Sequence, residues 1–122
     1  MSETNMTPDE VLASPHQGVG LGATLLYPQD AYGLVVVGVS ATAKVLRVKA
    51  LKSVSNATGH KPHHMEGPWP VWRHEYTEQE LKDMAESEIE RINWSARKRC
   101  YTRGGVTPVT VGKAVYYRNF SY

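Results

Sequence analysis

Arginine and tyrosine residues alternate near the C-terminal end of the chain, in a pattern suited to binding phosphorylated ligands. The sequence positions of Arg97, Arg99 and Arg103 differ by even numbers, and Tyr101 lies midway between Arg99 and Arg103. On one extended strand all four side chains would point to the same side. A guanidinium group binds phosphate through paired hydrogen bonds, and a tyrosine ring can stack on a base. The pattern therefore predicts an anion-binding strand, with a solvated strand face as the alternative.

The distribution of charge along the chain favours the same interpretation. The net charge is only +2, which by itself says little about partners. Eight acidic residues lie between positions 66 and 90 and none follows, whereas seven basic residues follow position 90. Residues 31–65 carry five basic residues and no acid. Strands from these two regions would form a cationic face if they shared a sheet.

A second group of candidate ligand-binding residues surrounds a predicted turn at positions 28–30. Tyr27 and Tyr32 flank this turn. Small barrels often bind ligands through such loops and the neighbouring strands, so Tyr27 is a second candidate for base stacking. Asp30 either accepts hydrogen bonds from a base edge or bonds its own backbone, as aspartate commonly does in turns.

Metal binding and catalysis have weaker support in the sequence. His60, His63 and His64 are the metal-ligand candidates, but the surrounding segment has no cysteine and Glu66 is its only acid. We therefore expect no metal site. The sequence contains no nucleophile elbow, phosphate-binding loop or zinc-protease motif, so we predict a protein without catalytic residues or a cofactor.

The elements that would position these residues are mostly strands. Alternating or valine-rich segments predict strands at 23–27, 33–39, 44–50, 71–75, 94–103, 106–111 and 114–120. Capping boxes predict a short N-terminal helix from Thr7 and an amphipathic helix over about residues 77–90. The expected fold class is α+β and strand-dominated, a small curled SH3-like antiparallel sheet or barrel.

The length of 122 residues indicates one domain. We expect a short helix and flexible entry at residues 1–22 and a β-rich domain at 23–122, with a long loop at about 53–70. The single cysteine excludes an intramolecular disulfide and fits a reducing compartment. The N-terminus lacks the pattern of a signal peptide, and no apolar run is long enough to span a bilayer, so the sequence predicts a cytoplasmic protein.

Two segments give a resemblance to known proteins. The segment Gly22–Tyr27, with Asp30 and the valine-rich run Val35–Ser40, resembles the start of small phage-encoded proteins, and the segment Gly112–Phe120 resembles their end. Some small phage proteins of this size are sponges that sequester the cyclic nucleotide signals of CBASS and Thoeris immunity. The resemblance implies a non-enzymatic homo-oligomer that binds a small nucleotide in the cytoplasm of an infected bacterium.

Two other functions remain open from the sequence. A single-stranded nucleic-acid-binding module would also use basic strands with tyrosines, although the acidic helix would repel a long polyanion. An inhibitor that occludes a host protein would instead use the acidic helix or a tryptophan patch. The ligand-binding residues expected for the nucleotide hypothesis are Tyr27, Arg97, Arg99, Tyr101 and Arg103.

Overall fold

The structure is a computed structural model that describes residues 5–28, 30–52, 64–66, 69–83, 85 and 88–119. It contains two α-helices, α1 (Pro8–Ala13) and α2 (Glu78–Asp83), and a 3-10 turn at Pro15–Gly18. The strands are β1 (Gly22–Leu26), β2 (Asp30–Val39), β3 (Val45–Ala50), β4 (His64–Glu66), β5 (Trp69–Glu75), β6 (Glu90–Ser95), β7 (Cys100–Arg103), β8 (Thr107–Gly112) and β9 (Val115–Asn119).

Six of the strands close into an antiparallel barrel. They follow the order β1-β8-β7-β6-β3-β2, and β2 pairs back onto β1 to complete the ring. The other three strands extend from the barrel in the order β9-β5-β4, and β9 joins it by pairing with the first two residues of β2. This arrangement confirms the predicted strand-dominated α+β fold with a small antiparallel barrel.

The interior of the barrel is filled by alternate residues of its strands. The buried interior cluster is Ala23, Leu25, Leu34, Val36, Leu46, Val48, Ile92, Tyr101, Val109 and Val111, together with Val11 and Ala43. Val11 lies on α1 and is fully buried against the barrel. The backbone N–H of Met6 donates to the carbonyl of Val111, which fixes the start of the chain to β8. One end of the barrel is thus covered by the N-terminal segment.

A second apolar cluster lies outside the barrel, between its wall and α2. Val35, Tyr76, Leu81 and Tyr116 are among its members. The predicted capping box of α2 is present, because Thr77 Oγ1 accepts from Glu80 N and Glu80 Oε1 accepts from Thr77 N. The prediction that this helix reaches residue 90 is wrong. Residue 90 instead begins β6, where backbone pairing with β3 replaces helical hydrogen bonds.

The predicted loop at 53–70 is wrong in part. β4 and the first residues of β5 lie inside this range and pair as an antiparallel hairpin, Glu66 opposite Trp69. The rest of the range, 53–63 and 67–68, lies outside the described residues. None of the helices described is long and apolar enough to cross a membrane.

Candidate functional site

The predicted arginine strand is two strands joined by a turn. β6 ends at Ser95, β7 begins at Cys100, and residues 96–99 form the hairpin turn between them. Arg97 and Arg99 lie in this turn, and Arg99 has a left-handed backbone with φ of 55°. Arg103 lies at the other end of β7, roughly 13 Å away at the ~3.3 Å rise of a strand residue. The prediction that the three arginines share one strand face is therefore wrong.

The prediction that Tyr101 stacks on a base is also wrong. Its side chain is fully buried in the barrel interior, where it packs edge-to-face with Trp94 at 5.2 Å between ring centroids. Its hydroxyl donates to the carbonyl oxygen of Ala43 at 2.5 Å. Burial raises the pKa of Tyr101 to about 12. Tyr101 is a structural residue that ties β7 to the β2–β3 turn.

The structure brings two of the predicted residues together, Tyr27 and Arg103. Arg103 Nη2 donates to the hydroxyl oxygen of Tyr27 at 3.0 Å, although the two residues are 76 positions apart in the chain. Arg103 Nη1 lies 3.7 Å from Glu90 Oε2. The guanidinium group is thus held between a phenol and a carboxylate, each supplied by a different strand or strand end.

These three residues belong to a ring of side chains at the end of the barrel opposite α1. Each barrel strand places alternate residues inward, and the next inward position beyond the buried cluster falls at this end. Each strand contributes one residue to it, and for β1 this is the residue that follows the strand. We call this ring the barrel mouth: Tyr27, Tyr32, Ala50, Glu90, Arg103 and Thr107. None of the six is fully buried.

Tyrosines form the side of the barrel mouth that adjoins β9. Tyr27 and Tyr32 pack edge-to-face with 5.6 Å between centroids, and Tyr32 meets Tyr116 at 6.5 Å. Tyr27 keeps 38% of its surface exposed. Asp30 starts β2 beside them, and its backbone carbonyl accepts a hydrogen bond from Tyr27 N. The role of the Asp30 side chain stays a prediction. One carboxylate oxygen of Asp30 is buried without a hydrogen-bond partner among the described residues.

The Arg103–Glu90 ion pair is weak enough to be exchanged for a ligand. The two side chains are 40% and 43% exposed, and ion pairs at such positions contribute ~0–1 kcal/mol. A guanidinium group has five N–H donors in a planar fork. Arg103 uses two of its nitrogens in the contacts described, and a phosphate that displaced Glu90 would gain charge-assisted hydrogen bonds in return. The barrel mouth can therefore hold an anionic group next to exposed aromatic surface.

Glu90 and Thr107 escaped the sequence-based prediction of the site. Glu90 looked like the last residue of an amphipathic helix, and Thr107 like an ordinary strand residue. They could have been found by extending the alternation of inward-facing residues from the core toward the N-terminal end of each strand. Glu90 precedes Ile92 by two residues, and Thr107 precedes Val109 by two. A polar residue at that spacing lies at the rim of a barrel.

Of the three histidines predicted as metal-ligand candidates, only His64 lies in the described part of the chain. His60 and His63 lie outside the described residues, and His64 is described only by its backbone in β4. Within the described part of the chain, no three histidine, cysteine or acidic residues are grouped to hold a metal ion.

Comparisons of the chain with known protein families, curated proteins and solved structures find no match, so the resemblance to phage sponges stays a prediction.

Proposed function

We propose that this protein binds a small phosphorylated nucleotide at the barrel mouth and sequesters it without catalysis. The observation that carries the proposal is the position of the Arg103 guanidinium, bonded to the Tyr27 hydroxyl at the rim of a closed barrel. Arg103 supplies the phosphate contact and Tyr27 an aromatic surface for the base. The rims of small barrels are frequent ligand sites because their interiors are filled by side chains.

The proposed nucleotide is a cyclic immune signal, in keeping with the sequence resemblance. Sequestration needs phosphate-binding cations and base-stacking rings, and it needs no nucleophile or general base. The protein would then act as a homo-oligomer in the cytoplasm of an infected bacterium. A sponge lowers the free concentration of the signal, so its effect depends on affinity and copy number.

Native mass spectrometry with a panel of cyclic dinucleotides and nucleoside monophosphates tests the proposal directly. We expect a nucleotide mass in fixed ratio to the number of subunits, released unchanged after denaturation. The same spectra report the oligomeric state. Release of a hydrolysed product would point to an enzyme, and binding of single-stranded oligonucleotides with a steep salt dependence would point to a nucleic-acid module. Either outcome would refute a nucleotide sponge.

Variants separate the barrel mouth from the arginines of the β6–β7 turn. Arg103→Gln should weaken nucleotide binding by about ten- to hundredfold, because it removes charge-assisted hydrogen bonds worth ~1.5–3 kcal/mol. Tyr27→Ala should weaken it by about five- to hundredfold through loss of stacking, ~1–3 kcal/mol per base. Arg97→Gln is the matched control: it removes the same charge at the other end of β7. Equal losses in Arg97→Gln and Arg103→Gln would contradict a site at the mouth.

A further inference from the structure

Two arginines face each other on the outer wall of the barrel. Arg47 of β3 lies directly opposite Arg91 of β6 in the antiparallel register. Their neighbours Leu46 and Ile92 are fully buried inside, so both arginines point outward on the same face. Side chains so opposed have Cβ atoms ~5 Å apart, and like charges at that separation destabilise a sheet. An anion bound near both arginines would reduce this repulsion.

The surrounding residues do not neutralise this pair. Within the described part of the chain, Arg47 and Arg91 take part in no ion pair or hydrogen bond of their side chains. Lys49 adds a third cation on the same side of β3. The acids of β2 and β6, Asp30 and Glu90, belong to the inward alternation at the barrel mouth. Among the described residues, the wall is therefore cationic and its two facing arginines have no ion-pair partner.

A hollow lined in part by both arginines gives the anion a place to bind. It has a volume of about 320 Å³ and is lined by Val39, Ser40, Val45, Arg47 and Arg91. Gly38 is the cross-strand partner of Arg47, and a Cβ built on Gly38 would stand 3.4 Å from Arg47 Cβ and Cδ. The aliphatic part of the Arg47 side chain thus packs over Gly38.

The size and donors of the hollow select its ligand. Its volume is at the lower end of the ~300–1,000 Å³ of ligand pockets, which suits a phosphate or diphosphate group better than a whole nucleotide. Ser40 Oγ accepts a hydrogen bond from Val45 N, and its own proton has no acceptor among the described residues. Two guanidinium forks and one hydroxyl are the donor set that binds phosphate oxygens.

We infer that the hollow between Arg47 and Arg91 is a phosphate-binding site on the outer wall of the barrel, separate from the barrel mouth. Its ligand is a phosphate or diphosphate group, free or carried by a small molecule. The site does not depend on the proposed function, because none of its lining residues belongs to the mouth.

Isothermal titration with inorganic pyrophosphate, at constant ionic strength set with chloride, tests this site. We expect saturable binding that Arg47→Gln or Arg91→Gln weakens by about ten- to hundredfold. Without the anion and at low ionic strength, each variant should have a higher unfolding midpoint than the parent, because like-charge repulsion is removed. Absence of saturable binding, or a pyrophosphate affinity unchanged in both variants, would overturn the inference.

Two controls separate this site from the mouth and from general charge effects. Arg97→Gln removes one arginine elsewhere and should leave pyrophosphate affinity within about twofold, since exposed charges at a distance are screened. In the Arg103→Gln background, a nucleoside diphosphate and pyrophosphate should bind with similar affinity if the site contacts phosphate alone. A loss of pyrophosphate binding in Arg97→Gln equal to that in Arg47→Gln would refute a specific site.

Discussion

Replacing Tyr101 by phenylalanine should destabilise the barrel by an amount that depends on pH. The change removes one hydroxyl from a fully buried ring and leaves the Ala43 carbonyl, also fully buried, without its hydrogen-bond donor. A buried polar group deprived of its partner costs about 1–3 kcal/mol. Ala43 has a left-handed backbone with φ of 57°, so the lost bond also helps to hold an unfavourable turn. We expect Tyr101→Phe to lower the free energy of unfolding by about 1–3 kcal/mol near neutral pH.

The pH dependence follows from the raised pKa of Tyr101. Burial raises that pKa to about 12 in the folded protein, against ~10 in the unfolded chain. Between these values the unfolded chain releases the proton while the folded protein keeps it, so this contribution to stability is complete below pH ~10 and falls by ~1.4 kcal/mol per unit above it. The phenylalanine variant has no such proton. Its stability deficit should therefore shrink steadily as the pH rises from 10 to 12.

Urea denaturation of both proteins from about pH 8 to about pH 11.5, a range that includes the unfolded pKa of ~10, measures this difference. All other groups are common to both proteins and cancel in the comparison. A deficit that stays constant with pH would refute the buried, protonated hydroxyl. If Tyr101→Phe kept its stability but bound nucleotide about tenfold more weakly, a loss of about 1.4 kcal/mol in binding free energy, Tyr101 would be a ligand contact after all.

Two further changes test the mouth and the attachment of β9. Glu90→Gln should strengthen nucleotide binding by up to about fivefold, because it removes an ion-pair partner worth ~0.2–1 kcal/mol that competes for Arg103. Titration calorimetry measures this, and weaker binding would contradict the proposed exchange. Thr24→Val should lower the free energy of unfolding by about 2–4 kcal/mol, because the buried Thr24 hydroxyl donates to Lys113 O at 2.7 Å and accepts from Val115 N at 3.1 Å. Urea denaturation checks this, with Thr24→Ser as control, which should keep most of the stability.

Local features of the fold could be predicted from the sequence because their causes are local. The capping box at Thr7 and Glu10 is present, and the paired glycines at 104 and 105 form the β7–β8 turn with φ of 63° and 75°. Each depends on residues a few positions apart, and glycine adopts positive φ without the steric cost of a Cβ. The sequence therefore predicted the start of α1, and the predicted strands at 94–103 and 106–111 leave the position of this turn between them.

The β6–β7 hairpin could not be predicted because its turn has no glycine, proline or asparagine. Residues 96–99 are Ala-Arg-Lys-Arg, and Arg99 adopts the left-handed conformation usually left to glycine. The spacing of two positions that relates Arg97, Arg99, Tyr101 and Arg103 continues through the turn, so the segment looked like one strand. The turn also resets which residues face inward, and this places Tyr101 in the core. The burial of Tyr101 depends on closure of the barrel, and closure depends on contacts between residues far apart in sequence.

The closed barrel also limits where a ligand can bind. A barrel of six strands is narrower than one of eight, whose interior is only just wide enough to be filled by side chains. Here the interior is filled by residues such as Tyr101 and Ile92, both fully buried. In the part of the chain that the structure describes, the end beside α1 is covered by Val11, which leaves the mouth as the route to the inward-facing residues. Polar residues at inward positions, Glu90 and Arg103, occur at that end, where burial does not exclude their charge. Ligand contacts must therefore lie at the mouth or on the outer surface, and substitutions at the core-facing positions should change stability without changing specificity.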